Sequence, residues 1–305
     1  MLRGRGSDRF RGHAPFRVTG HTPSRVTPIL AMPLALSLRV VGDRPPLSID
    51  LGGILPERLV SLPLPAIARL PVLADGRSCE LGTLFEVSGD PADAVIECRG
   101  DFSRVHRVAA GMRSGAIRTT GPVGRHAAAG MSGGRLDVAG DAGDWLAAEL
   151  AGGEIHVTGN VGDNLAAALP GSPIGMRGGL VTVGGHAGNL AGARLRRGIV
   201  AIAGGCGDAA GFEMRAGSVV IGGDVGRQPG LGMRRGSVIA LATRPEPPAT
   251  FRRGAAWRPG FLPLLLTRLV AAGFRPASAP QPPGGWQQWH GDMLAGGRGE
   301  ILHPA

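Results

Sequence analysis

Between residues 115 and 236 the chain repeats one pattern about every nineteen residues. The anchor glycines are Gly115, Gly134, Gly153, Gly179, Gly198, Gly217 and Gly236, in steps of 19, 19, 26, 19, 19 and 19 residues. A second glycine follows each of the first six anchors at six residues and a third at nine, as in Gly121 and Gly124 or Gly223 and Gly226. A unit this short cannot bury its own apolar face, so a fixed period dictates a stack in which neighbours share one core. Glycine motifs inside the array are therefore read as scaffold before they are read as sites.

One unit, Leu180-Val181-Thr182-Val183, alternates with period two, which places one face inward. The inward pair recurs as Leu136/Val138, Ile155/Val157, Val200/Ile202 and Val219/Ile221. Val123, Ala142, Val161, Ala187, Cys206 and Val225 share a second, small apolar position. Met112, Met131, Leu150, Met176, Leu195, Met214 and Met233 share a third. The expected fold is mainly β: a single-stranded parallel β-helix of about seven to eight 19-residue coils, with a short C-terminal capping helix. Seven coils at ~4.8 Å per strand span about 34 Å. The glycines are expected to supply positive φ at corners and room for close backbone approach.

Composition narrows the chemistry. All 33 Lys-plus-Arg positions are arginine, so a phosphate-loop lysine, a Schiff base and a lysine general base are excluded. No eighteen-residue apolar run exists, so no transmembrane helix is expected. Cys79, Cys98 and Cys206 lack metal-site spacing, and so sparse a count fits a reducing cytoplasm. Part of the +10 formal charge belongs to residues 1–31, which hold six arginines and one aspartate.

Four segments are expected. Residues 1–31 are a disordered arm or a misplaced start, with Met32 the true first residue; residues 32–93 are an N-terminal β-rich segment. Residues 94–243 are the parallel β-helix, and residues 244–305 the C-terminal cap and tail. The spacing of Leu262, Leu265, Leu266, Leu269 and Val270 predicts a helix over 261–274 that caps the stack or docks on a partner.

The constellations are few. Asp144, Asp163, Asn189 and Asp208 share a corner position, where Asx-type turns are expected to satisfy them locally, with a bound cation as the alternative. His126, His156 and His186 share no position and lack an obvious carboxylate partner. No catalytic residue and no metal site is expected. The surplus over scaffold is an arginine ladder two residues before the anchors: Arg113, Arg177, Arg196, Arg215 and Arg234. A row of like charges at strand spacing should face anions, an acidic partner surface or a polyanionic tail. Nucleic acid is not expected, because aromatic residues do not interleave with the arginines. The insertion around residues 169–175 should protrude at a corner.

The G-x-(I/V)-x-(V/I)-x-G-(D/N)-(A/V)-G units, the Gly-Met-Arg-x-Gly corners and the ending Gly291-Asp292 … Gly299-Glu300-Ile301-Leu302 resemble the C subunit of formylmethanofuran dehydrogenase. The resemblance is closer to the bacterial counterpart, the C subunit of the formyltransferase/hydrolase complex, and covers residues 34–305. It implies a right-handed parallel β-helix serving as a non-catalytic scaffold in one-carbon metabolism. Its partners would use a methanofuran-type coenzyme and tetrahydromethanopterin, with metal in partner subunits and no cofactor on this chain. The glutamate-rich tail of such a coenzyme is one implied ligand for the ladder. The units also resemble the C-terminal domain of glutamate synthase, an alternative reading as a bridging protein. A solenoid acting on polysaccharide is a third reading; it needs carboxylates clustered on an outward strand face, which the array is expected to offer only at corners.

Overall fold

The computed structural model describes residues 32–38, 45–276 and 284–305. The lead-in expected over 1–31 lies outside the described residues. The β-rich N-terminal segment gives β1 (Leu34–Leu38), β2 (Ile49–Asp50), β3 (Pro71–Ala74), β4 (Arg77–Glu80) and β5 (Phe85–Ser88), with short helices α1 (Pro56–Leu59), α2 (Leu64–Ala68) and α3 (Leu81–Leu84). β6 (Val95–Arg99) and β7 (Val105–His106) lead into the periodic strands. Those are β8 (Ala116–Thr119), β9 (Arg135–Val138), β10 (Glu154–Val157), β11 (Leu180–Val183), β12 (Ile199–Ile202), β13 (Ser218–Ile221) and β14 (Arg235–Ala240). The tail adds β15 (Arg252–Trp257), α4 (Phe261–Ala271), β16 (Trp286–Gly291) and β17 (Arg298–Pro304).

One 13-stranded sheet runs β5-β1-β6-β8-β9-β10-β11-β12-β13-β14-β17-β16-β15. From β1 to β17 every neighbouring pair is parallel, and the periodic strands pair at equivalent repeat positions: Ile155 opposite Val181, Val200 opposite Val219. β5 at one end and β16 with β15 at the other close the ladder antiparallel. Val123, Ala142, Val161, Ala187, Cys206 and Val225 form a second line of single-residue parallel bridges. β2, β3, β4 and β7 make a small separate sheet.

Inward columns fill the core as the period dictates. Leu136, Ile155, Val181, Val200 and Val219 are fully buried, and so are Met112, Met131, Leu150, Met176, Leu195, Met214 and Met233. Each such side chain contributes roughly 1.5–3 kcal/mol of transfer free energy. The ladder extends past the glycine array at both ends. Leu34 and Leu36 lie opposite Ile96 and Cys98, while Gly299 and Ile301 lie opposite Gly236 and Val238.

The helix forms where expected but does not cap the open end of the stack. Leu262, Leu269 and Phe274 pack on Leu180, Ala201, Val220, Ile239, Leu241 and Leu302, the outward-facing residues of β11–β14 and β17. These strands are apolar on both faces, so their outer side needs its own cover. β16 and β17 occupy the C-terminal end instead. Val270, expected on the packed side, is exposed. No helix among the described residues is long and apolar enough to cross a membrane.

The glycine columns divide by task. All seven anchors have positive φ; Gly153 sits at +93°, and a Cβ there would lie 2.6 Å from Met131 Cε and 2.7 Å from the Gly134 carbonyl oxygen. Gly226 has no such φ, but a Cβ there would overlap the Gly207 carbonyl, so it serves close approach alone. Unexpectedly, side-chain-bearing corner residues are also left-handed: His126, Trp145, Asn164, Leu190, Ala209 and Gln228 have φ between 55° and 64°. Such a conformation costs roughly 1–2 kcal/mol per residue. Inter-repeat bonds at the same corner oppose it, including Ala147 N–H to Ala127 O and Ala166 N–H to Leu146 O, both 2.8 Å.

The corner acids are satisfied between repeats, not by the local Asx turns expected. Asp144 Oδ1 accepts the Asp163 N–H at 2.9 Å, Asp163 that of Asn189 at 2.6 Å, Asn189 that of Asp208 at 2.8 Å, and Asp208 that of Arg227 at 2.8 Å. The next repeat brings an equivalent amide within reach of each side chain, and each donor offsets like-charge repulsion along the row. A histidine takes the acceptor role at His106 in this row, and at His186 in a neighbouring row that follows Asp141 and Asn160. His106 Nδ1 accepts the Arg125 N–H and His186 Nδ1 the Gly205 N–H, both at 3.0 Å.

Close approach and the histidine acceptors each have a measurable consequence. Gly153→Ala should destabilise by about 2–3 kcal/mol, combining left-handed strain with overlap. Gly171→Ala, at φ +83° with nothing near its Cβ, should cost only about 1 kcal/mol of strain. Equal denaturation midpoints for the two variants would contradict the role assigned to close approach. Acid should act through His106. Burial, then the Arg125 charge, holds its imidazole below the ordinary pKa of 6.5, and Nδ1 accepts only when unprotonated. The unfolded chain therefore takes up the proton first: this contribution to stability is full above about pH 6.5 and is lost as pH falls through the lower folded value. The urea midpoint should drop between about pH 7.5 and pH 5, and His106→Gln should flatten part of that drop. An identical profile in the variant would exclude His106 as a source.

Candidate functional site

The arginine ladder is ordered by the backbone. Arg177 donates its N–H to Leu150 O (2.6 Å), Arg196 to Met176 O (2.9 Å), Arg215 to Leu195 O (2.7 Å) and Arg234 to Met214 O (2.7 Å). Each arginine is thus tied to the buried methionine or leucine of the preceding repeat. Arg113 stands apart, because Ser132 and Ala151 fill the two intervening positions and its N–H goes to Glu57 Oε1 at 2.9 Å. All five side chains are exposed, and none forms an ion pair with another described residue. The strip is broader than the five ladder residues. Arg197 and Arg235 are exposed beside it, and Arg298 lies opposite Arg235 in β17. The shared spelling Arg-Gly-x-(Val/Ile) at 197, 235 and 298 is the sequence signal for these additions.

A second charged group lies on the outer face of β9–β11, and it corrects two expectations. Carboxylates do occur on an outward strand face: Arg135 Nε is 2.9 and 2.8 Å from the Asp137 carboxylate oxygens, and Arg135 Nη1 is 3.5 Å from Glu154 Oε2. His156 does have partners, with Nδ1 2.7 Å from Thr182 Oγ1 and Nε2 3.7 Å from Glu154 Oε2. Burial and the Arg135 charge hold the His156 imidazole below its ordinary pKa, against the pull of Asp137 and Glu154. With Asp137 held by Arg135, the face lacks the two unengaged carboxylates that glycoside hydrolysis uses.

Two of the three thiols, Cys98 and Cys206, are poor nucleophiles. Burial pushes Cys98 up to about 12 and Cys206 up to about 11, so neither offers a thiolate near neutrality. Among the described residues no group of three His, Cys, Asp or Glu side chains is placed to hold a metal. The insertion exposes Pro170, Gly171 and Pro173 at a corner. It is tethered to the next repeat by Arg194 Nη1, which donates to Ser172 O at 2.9 Å while Arg194 Nε pairs with Glu213 at 2.7 Å.

No protein-family model matches the chain. The C subunit of the formyltransferase/hydrolase complex Fhc from Methylorubrum extorquens is 35% identical over 89 residues, which is 29% of this chain and 33% of that relative. That sequence match therefore spans about a third of the relative's length. The crystal structure of the Methylorubrum extorquens formyltransferase/hydrolase complex FhcABCD with methylofuran contains a much longer match. One of its chains superposes with a TM-score of 0.81 at 33% identity, over 89% of this chain and 99% of that one. Identity at that level across nearly the whole solved chain, with the curated relative being the C subunit, means that this chain belongs to the family of formyltransferase/hydrolase complex C subunits.

Proposed function

We propose that the chain is the structural, non-catalytic C subunit of a formyltransferase/hydrolase complex. In that reading, partner subunits transfer a formyl group from formyl-tetrahydromethanopterin to a methanofuran-type coenzyme and hydrolyse it to formate. The observation that carries the reading is the 33% identity over 99% of a chain from the FhcABCD complex. The engagement of Asp137 by Arg135 and the two raised thiols support a scaffold role; metal chemistry is assigned to the partners from the family resemblance alone. The finer architecture is a single-stranded parallel β-helix of about seven to eight coils, supported by the parallel ladder in equivalent register, with the right hand implied by the family resemblance alone. Three free cysteines fit a cytoplasmic setting.

In the same proposal the arginine strip is where this chain meets carboxylates, either on an acidic partner surface or on the glutamate-rich tail of the coenzyme. Guanidinium groups suit that work because they stay charged and bind carboxylates through two parallel N–H donors. Steps of ~4.8 Å along the ladder favour an extended acidic partner.

Co-expression with formyltransferase and amidohydrolase-like partner subunits tests the assignment. A hetero-oligomer that retains this chain through purification and carries the activity is expected; a chain that never co-purifies would refute it. The double variant Arg196→Glu, Arg215→Glu should weaken assembly, or coenzyme retention, by about tenfold or more at low salt, with the deficit shrinking as salt rises. Unchanged assembly and retention would remove the strip from the proposal while leaving the family assignment intact.

A further inference from the structure

The outer face of the sheet changes character between β10 and β11. From β11 onward Leu180, Ala201, Val220, Ile239 and Leu302 give it an apolar stretch under α4; before it, the exposed Arg135 and Glu154 and the half-buried Asp137 and His156 are uncovered. The helix ends at this boundary. Gly273, at φ +88°, turns the chain so that Phe274 tucks beneath and Arg275 comes back over the last turn. Two adjoining hollows of about 380 and 470 Å³ lie between the helix end and the polar face, sharing Arg135, Ala272 and Gly273. His156 and Arg275 line the first, and Glu154 and Arg268 the second.

The groove has unused binding capacity of one kind. His156 Nε2 is buried and lacks a hydrogen-bond partner, since Glu154 at 3.7 Å is too far. The Thr182 hydroxyl can donate to Nδ1 or accept from it; in the tautomer in which it donates, Nε2 carries the proton and needs an acceptor. Among the described residues Arg275 uses only Nη1, on Val270 O at 2.7 Å and Phe274 O at 3.1 Å. Arg268 forms no ion pair among them. Arg135 is already paired with Asp137, so the lining sets the guanidinium groups of Arg268 and Arg275, neither in an ion pair among the described residues, against the single carboxylate of Glu154.

We propose that this groove is a carboxylate-binding site, in which an acid accepts from His156 Nε2–H and from the free edge of the Arg275 guanidinium, with Arg268 at its mouth. The carboxylate is either a free small acid or an Asp or Glu side chain of a partner protein. The proposal needs neither the arginine strip nor the scaffold assignment, because the groove sits on the strands that follow the anchor glycines and is built by α4.

The test follows the His156 imidazole signal by NMR in the full chain with isotope-labelled histidine. Glutarate is the free-acid probe and glutaramide, its neutral counterpart, the control. A saturable shift of His156 with glutarate at millimolar concentration, absent with glutaramide, assigns a free acid. No shift with glutarate, but a shift when the partner proteins of the complex are added, assigns a side chain. Arg275→Ala should weaken whichever effect is seen by about tenfold, the worth of one charge-assisted hydrogen bond. Arg268→Ala, which removes no bond that holds the helix, should weaken it less. Overturning results are no movement of His156 with either probe or the partners, equal movement with glutaramide, or an affinity that neither arginine variant changes.

Discussion

The structure depends on one constraint: each repeat hydrogen-bonds to the next in a fixed register along the whole ladder. That register makes columns out of positions, so a residue type that suits one repeat suits all of them. Second- and third-column glycines follow because a Cβ would meet the carbonyl or amide of the preceding repeat, as at Gly226 against Gly207. The buried Met/Leu column follows because its neighbours on both sides are the same column. Left-handed corners that would be costly in isolation persist because their amides are held by the adjacent repeat, as at Ala147 and Ala166.

Whatever the period expresses directly is legible in the sequence. The inward pair, the single-residue bridges and the anchor turns can be read at their correct positions, because a residue facing a copy of itself repeats its chemistry. The placement of α4 is harder to read, although its signal is present. Leu180, Ile199, Ala201, Val220 and Ile239 face outward on strands whose inward residues are also apolar. A strand apolar on both faces must be covered on both, and α4 is the cover. The inward column alone says nothing of this outer demand, so it leaves the end of the stack as the obvious place for an apolar helix.

The tail is hidden for a different reason. Arg298-Gly299-Glu300-Ile301 repeats the spelling of Arg235-Gly236-Ser237-Val238 and pairs with it residue for residue. The step of 63 residues from Gly236 to Gly299 breaks the period, so spacing does not reveal the match. The corner acids illustrate a third limit. Asp144, Asp163, Asn189 and Asp208 accept an amide in either an Asx turn or an inter-repeat bond, and only the distance between repeats decides. At strand spacing the next repeat's amide is in reach, so the long-range bond wins and adds to the ladder.

The register also gives the arginine strip its physical meaning. Four consecutive ladder arginines each hang from a backbone amide bonded to a fully buried residue, so their Cα positions are as fixed as the core. Only side-chain entropy remains to be lost on binding an extended acid, and the backbone cost has been met by folding. Toward the N-terminal end Ser132 and Ala151 interrupt the row, so positive charge concentrates beside the half of the sheet whose outer face α4 already covers. The other half keeps Arg118, Arg135 and Glu154 exposed and is not covered by the helix. One ladder therefore offers two chemically different sides, a basic strip and a mixed-charge face, and both are spaced by the same backbone bonds that build the core.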